Sequence, residues 1–204
     1  MKGKRIENSV RSLTNLYTVV IGVALSVAIV SVIDPQKGLQ SITLTSIFLF
    51  LALITTLFPF YHGALRHLDD AYIENESDHI RDGALIFDFV LLFFHGIIFV
   101  ILSLLLSKPN HFAWVLIVLF VVDVIWGIFV YFGASSQAAH GAEGKWTIIN
   151  GIFIAALGAY LFCNDIFLQT IQSPEKLALI VTIACTFRSI ADYIWCRSFY
   201  FPKD

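Results

Sequence analysis

Apolar residues in this chain neither alternate nor recur at wide intervals; they run on. Six stretches, at 13–33, 42–61, 84–106, 112–132, 148–167 and 177–195, are dominated by Leu, Ile, Val, Phe and Ala over 19 to 23 residues each. About 20 residues of helix, rising about 1.5 Å each, match a hydrocarbon core of about 30 Å. A membrane barrel would show short alternating segments instead. In lipid a helix satisfies its backbone hydrogen bonds within one segment. The pattern predicts an all-α polytopic membrane bundle of six transmembrane helices, forming one domain over residues 1–204. Pro35 with Gly38, and Lys108-Pro109-Asn110, supply outer turns. The first stretch follows Lys2, Lys4, Arg5 and Arg11. It is longer than a signal-peptide core, and no A-x-A site precedes Asp34-Pro35, so it is expected to be a retained span.

Composition agrees. The 204 residues are 58% hydrophobic and 14% charged, with a mean hydropathy of +0.80; a soluble domain carries about 25% charged residues. With 19 Phe, 7 Tyr and 4 Trp the chain is too apolar for disorder. A net charge of -2 offers no footprint for nucleic acid. With the N-terminus inside, nine Lys and Arg fall in cytoplasmic segments and three in outer loops, with Arg188 inside the sixth span. The positive-inside bias then puts both termini in the cytoplasm, in a cell (inner or plasma) membrane. Tyr61, Tyr131, Trp146 and Trp195 are expected at the inner boundary and Trp114 at the outer one. Cys163, Cys185 and Cys196 form no C-x-x-C and read as buried, inert thiols.

Ionisable residues at membrane depth are costly, so they face the protein interior with partners and mark function by default. Five qualify: Asp88 and His95 in the third stretch, Asp123 in the fourth, Arg188 and Asp192 in the sixth. Asn150 adds a neutral hydrogen-bonding group. The spacings 88/95 and 188/192 each place two residues on one helical face. At about 1.5 Å per residue, Asp88, Asn150, Arg188 and Asp192 lie about 3–10 Å from the cytoplasmic end, and His95 and Asp123 about 14–16 Å. This asymmetry predicts a polar pocket opening to the cytoplasm, with His62, Arg66, Asp69 and Asp70 at its mouth. Pro59, which leaves the Thr55 carbonyl without a helical donor, would tilt that mouth segment.

Each residue has a plainer explanation. Arg188 paired with Asp88 or Asp192 fixes helix register; His95 is a neutral imidazole bonded to Asp123 or to a backbone carbonyl; His62 and His67 are solvated rather than metal-bound. The acids Asp69, Asp70, Glu74, Glu76, Asp78 and Asp82 form a solvated turn, or else dock a cytosolic partner through the 66–82 segment. Gly151, Ala155 and Ala159 make a small-residue stripe for close helix packing, within the protomer or in a homo-oligomer. Arg-x-x-x-Asp occurs at 66/70 and at 188/192, a trace of duplication. No metal site is expected. Haem between His62, His95 or His140 fits poorly because their depths do not pair, and the cofactor is left unassigned. No H-E-x-x-H, G-x-S-x-G or nucleotide loop occurs. Ion or solute transport, or signalling, through the polar pocket ranks first, then a non-catalytic docking subunit, then an intramembrane enzyme.

Overall fold

The computed structural model describes residues 2–33, 38, 42–74, 83–133, 142–163 and 173–202. Among them the chain is all-helical: α1 Lys2–Val32, α2 Leu44–Asp69, α3 Ala84–Leu104, α4 Pro109–Gly133, α5 Ala142–Cys163, α6 Pro174–Trp195 and a short α7 Arg197–Tyr200. Six of these helices are long and apolar enough to cross a membrane. Their outward faces fit that solvent. Ile86, Phe129, Phe187 and Ile194 each expose more than 60% of their surface, which in water would be an aggregation patch and in lipid is the ordinary exterior.

Local chemistry sets the helix ends. Thr43 caps α2, its hydroxyl accepting the Ser46 N–H at 3.1 Å. Pro109 and Pro174 open α4 and α6, where a missing N–H costs nothing. Gly83, at φ 94°, makes the left-handed entry to α3. Within α2, Pro59 deprives the Thr55 carbonyl of its donor, and the Ser189 hydroxyl of α6 supplies one at 2.5 Å. Beyond Pro59 the helix runs on to Asp69 and ends in a wider π-helical turn, Asp70–Glu74.

The helices pack chiefly as three pairs: α1 with α3, α2 with α6, and α4 with α5. Two glycines permit the closest approaches. A methyl group on Gly96 would run into Val20 of α1, and one on Gly127 into the Thr147 hydroxyl of α5. In the α2–α6 pair Thr182 donates to the Phe48 carbonyl and Ser189 to that of Thr55, each across 134 residues, so the two helices run parallel in constant register. In that register Arg66 comes level with residue 200, not with Arg188. The two Arg-x-x-x-Asp motifs therefore stand about 18 Å apart along the pair and are not equivalent positions.

α5 departs from its hydropathy. The apolar run begins at 148, but the helix begins at Ala142 and carries Glu143 and Trp146 into the interior. Asn150 consequently lies about 12 Å along α5 rather than about 3 Å. Away from α7 the core is apolar, built from Leu49, Leu53, Leu102, Phe112, Leu116 and Leu119. The buried ionisable groups gather towards the α7 end.

Candidate functional site

Two polar clusters occupy that end. The first is centred on Asp88, one turn into α3. Its carboxylate accepts the Tyr72 hydroxyl at 2.6 Å and the Trp126 indole N–H at 3.0 Å, and lies 3.3 Å from His67 Nε2. The other ring nitrogen of His67, Nδ1, is 3.1 Å from Glu143 Oε1. One imidazole from α2 thus bridges carboxylates from α3 and α5. Two hydrogen bonds across three groups require two protons, either both on the ring or one on the ring and one on a carboxyl. Trp126 stands edge-on to the same ring, with centroids 4.8 Å apart.

The second cluster is centred on Arg188 of α6. Its Nε donates to Asn150 Oδ1 at 2.9 Å, and the Asn150 amide donates to Asp123 Oδ2 at 2.5 Å. Those two bonds orient the amide unambiguously. Arg188 Nη1 lies 3.0 Å from Asp192 Oδ2, one helical turn on. Asp192 Oδ1 accepts the Trp146 indole at 2.9 Å and the Tyr200 hydroxyl at 3.1 Å. The guanidinium is held between the rings of Phe60 and Phe120, 5.1 and 5.3 Å from their centroids, a desolvated cation–π seat. Burial first, then the neighbouring Asp192 charge, pushes the Tyr200 phenol far above its ordinary range, so it remains a donor. The same causes push the adjacent Cys196 thiol up to about 12.

Between the clusters lies a cavity of about 40 Å³, with His67 and Asp88 on one wall, Arg188 and Asp192 on another, and His95 and Asp123 deeper in. His95 Nε2 is 4.0 Å from Asp123 Oδ1, within ion-pair range and beyond a hydrogen bond. Among the described residues it has no hydrogen-bond partner; nor does Arg188 Nη1, whose approach to Asp192 lacks hydrogen-bond geometry. Both side chains are buried, at 2% and 6% exposure.

Of the sequence-derived candidates, Asp88, His95, Asp123, Arg188 and Asp192 line this one cavity, and Asn150 stands behind it, joining Asp123 to Arg188. Of the two carboxylates offered to Arg188, Asp192 takes it, while Asp88 serves His67, Tyr72 and Trp126. The mouth residues divide. His62 packs on Tyr193, Tyr200 and Phe201. Arg66 donates to the Phe199 carbonyl at 3.2 Å, and Asp69 and Asp70 are half-buried. None of these four lines the cavity.

Several expectations need correction. His67 is not a solvated surface imidazole but a buried bridge, because α2 continues past Pro59 and turns it inward. Trp146 is no interfacial anchor, since its indole N–H is spent on Asp192. Cys163 is exposed at the end of α5, whereas Cys185 and Cys196 are buried. The stripe of Gly151, Ala155 and Ala159 faces outward: both alanines are exposed, and a methyl group on Gly151 would touch nothing. Pro35, Glu76, Asp78, Asp82 and His140 lie outside the described residues. Among the described residues no group of three His, Cys or acidic side chains is arranged to hold a metal ion.

Sequence reasoning missed Glu143, Tyr72, Trp126 and Tyr200. Glu143 had a readable signal: with Trp146 and Asn150 it repeats at spacings of three and four, one helical face. No protein-family model matches the chain, and neither a curated protein nor a solved structure does.

Proposed function

We propose that this integral membrane protein takes up and releases a proton at a one-sided intramembrane site, as a transport or signalling component. The observation that carries this reading is the cavity itself. At about 40 Å³ it admits a few waters or a small ion rather than an organic substrate, and its walls hold titratable groups from α2, α3, α4 and α6. Charge counting supports a proton as the ligand. Four buried carboxylates, Asp88, Asp123, Glu143 and Asp192, face one buried guanidinium and the imidazoles of His67 and His95. With every imidazole charged, one negative charge still remains, and neutrality at membrane depth then requires a carboxyl proton.

The positive-inside count places the α7 end, and hence the site, on the cytoplasmic side. The apolar layer of Leu49, Leu53, Phe99 and Leu102 blocks the opposite half, so passage through the bundle would require a rearrangement of the helices. A docking role for the acidic 66–82 segment, the alternative, predicts that the pocket is dispensable.

The test is reconstitution in nanodiscs in weakly buffered solution, with proton uptake by the protein followed by a pH dye after a pH jump. Asp123→Asn and His95→Ala should each abolish the uptake while leaving the protein folded. Uptake unchanged in both variants would refute the proposal. Cysteine labelling at Ser9 should report it on the cytoplasmic face, and labelling from outside would reverse the orientation.

A further inference from the structure

We infer that the space between His95, Asp123 and Arg188 is a built water site whose waters join the two polar clusters into one proton path. It deepens the proton reading for its role, while its existence rests on geometry alone. A water molecule needs roughly 10–15 Å³ of accessible space and two to four polar partners. The cavity, at about 40 Å³, holds two or three.

The partners are in place. Among the described residues His95 Nε2 and Arg188 Nη1 are buried nitrogens with no hydrogen-bond partner, Nη1 having only its ion contact with Asp192, and a buried polar nitrogen left so is costly. Asp123 Oδ1 stands 4.0 Å from His95 Nε2, too far for direct bonding and suitable for one bridging oxygen. Asp123 Oδ2 is already engaged by Asn150, so the syn and anti positions of Oδ1 are those left for water. Phe60 closes one side, edge-on to His95 with centroids 5.4 Å apart, which confines the waters to the polar walls.

Asp88 and His67 line the same cavity. A proton on the Asp123 carboxyl can therefore leave by donation to the bridging water. The O–H bond to Asp123 breaks as a new one forms on water, a water O–H breaks in turn, and the proton ends on Asp88 or His67. Nothing is oxidised or reduced, and one positive charge moves between clusters that share no direct hydrogen bond among the described residues.

The test compares infrared difference spectra of the full-length protein in nanodiscs in H2O and in oxygen-18 water, with proton uptake measured alongside. The wild type should show O–H stretching bands that shift with the heavier isotope. Both Leu92→Phe and Ala64→Leu, which push bulk into the cavity from α3 and α2, should remove those bands and cut uptake at least tenfold. A high-resolution map of the wild type provides an arm that needs no variant, with a peak expected between His95 Nε2 and Asp123 Oδ1. No shifting bands and no peak would overturn the water site. Bands that survive in folded filled variants would also overturn it. Loss of the bands with uptake intact would overturn the path. Bands and peak as expected, with no uptake in any protein, would leave the water site standing and refute the proton reading instead.

Discussion

Ser189 gives its hydroxyl to the Thr55 carbonyl, at 2.5 Å, across the seam between α6 and α2. The acceptor is free only because Pro59 has no N–H to offer it four residues on. A proline in the middle of a span is thereby made into an inter-helix fastening. Removing the hydroxyl leaves a part-buried carbonyl in the helix seam without a donor, so Ser189→Ala should cost about 1–3 kcal/mol. Pro59→Ala restores the internal donor, and in that background the same change should cost much less. A double-mutant cycle on thermal unfolding in detergent measures the difference, and equal costs in both backgrounds would contradict the assignment.

His67 holds apart two carboxylates that come from different helices. His67→Ala should leave Asp88 and Glu143 facing one another with no donor between them, at a cost of about 3–5 kcal/mol for the stranded charge. His67→Ala combined with Glu143→Gln should recover part of that loss. Thermal stability of the single and double variants decides it.

Trp126 donates to Asp88, and this makes its indole a reporter of that carboxylate. In a protein retaining only Trp126, emission should change across a pH titration, and Asp88→Asn should flatten the response. A response that survives removal of the bonded carboxylate would show that the indole senses something else.

Arg188→Ala should strand Asp192 and free Asn150, costing about 3–5 kcal/mol. Arg188→Met with Asp192→Leu removes both charges and keeps the volume, so the double variant should be markedly more stable than Arg188→Ala. Unfolding midpoints of the two variants in one detergent are the measurement.

Gly127 lies where the Thr147 hydroxyl of α5 crosses α4. Gly127→Ala should force the α4–α5 pair apart and weaken the Asn150–Asp123 bond one turn away. Adding Thr147→Ala should relieve it. The check is again stability, together with proton uptake, which on the proton reading should fall as that bond weakens.

The helices were legible because each run of about 20 apolar residues has one physical solution in lipid. The Arg188–Asp192 relation was legible for a similar reason, since four residues along a helix is contact distance. Glu143 and His67 were not, because both lie where hydropathy fades and the chain looks ready to leave the membrane. They are kept inside by one another, a fact of α2 meeting α5 that no window along either segment contains. Tyr200 is harder still. Its bond to Asp192 depends on the break in the helix at Cys196, after which the side chain from α7 reaches back to that carboxylate.

The pairing of the helices gives the site a mechanical character. Inside the pairs the fit is largely apolar, with Asn150 on Asp123, Tyr193 on His62 and the Thr182 and Ser189 fastenings among the polar exceptions. The bridge from His67 to Asp88 and Glu143, the indoles on Asp88 and Asp192, and Arg188 on Asn150 all cross from one pair to another. The charged groups are therefore the pins of a three-way joint whose arms are stiff. On the proton reading, a proton gained or lost there would alter how the arms meet rather than how any one is built, so a chemical event the size of one hydrogen would act where the long helices are joined.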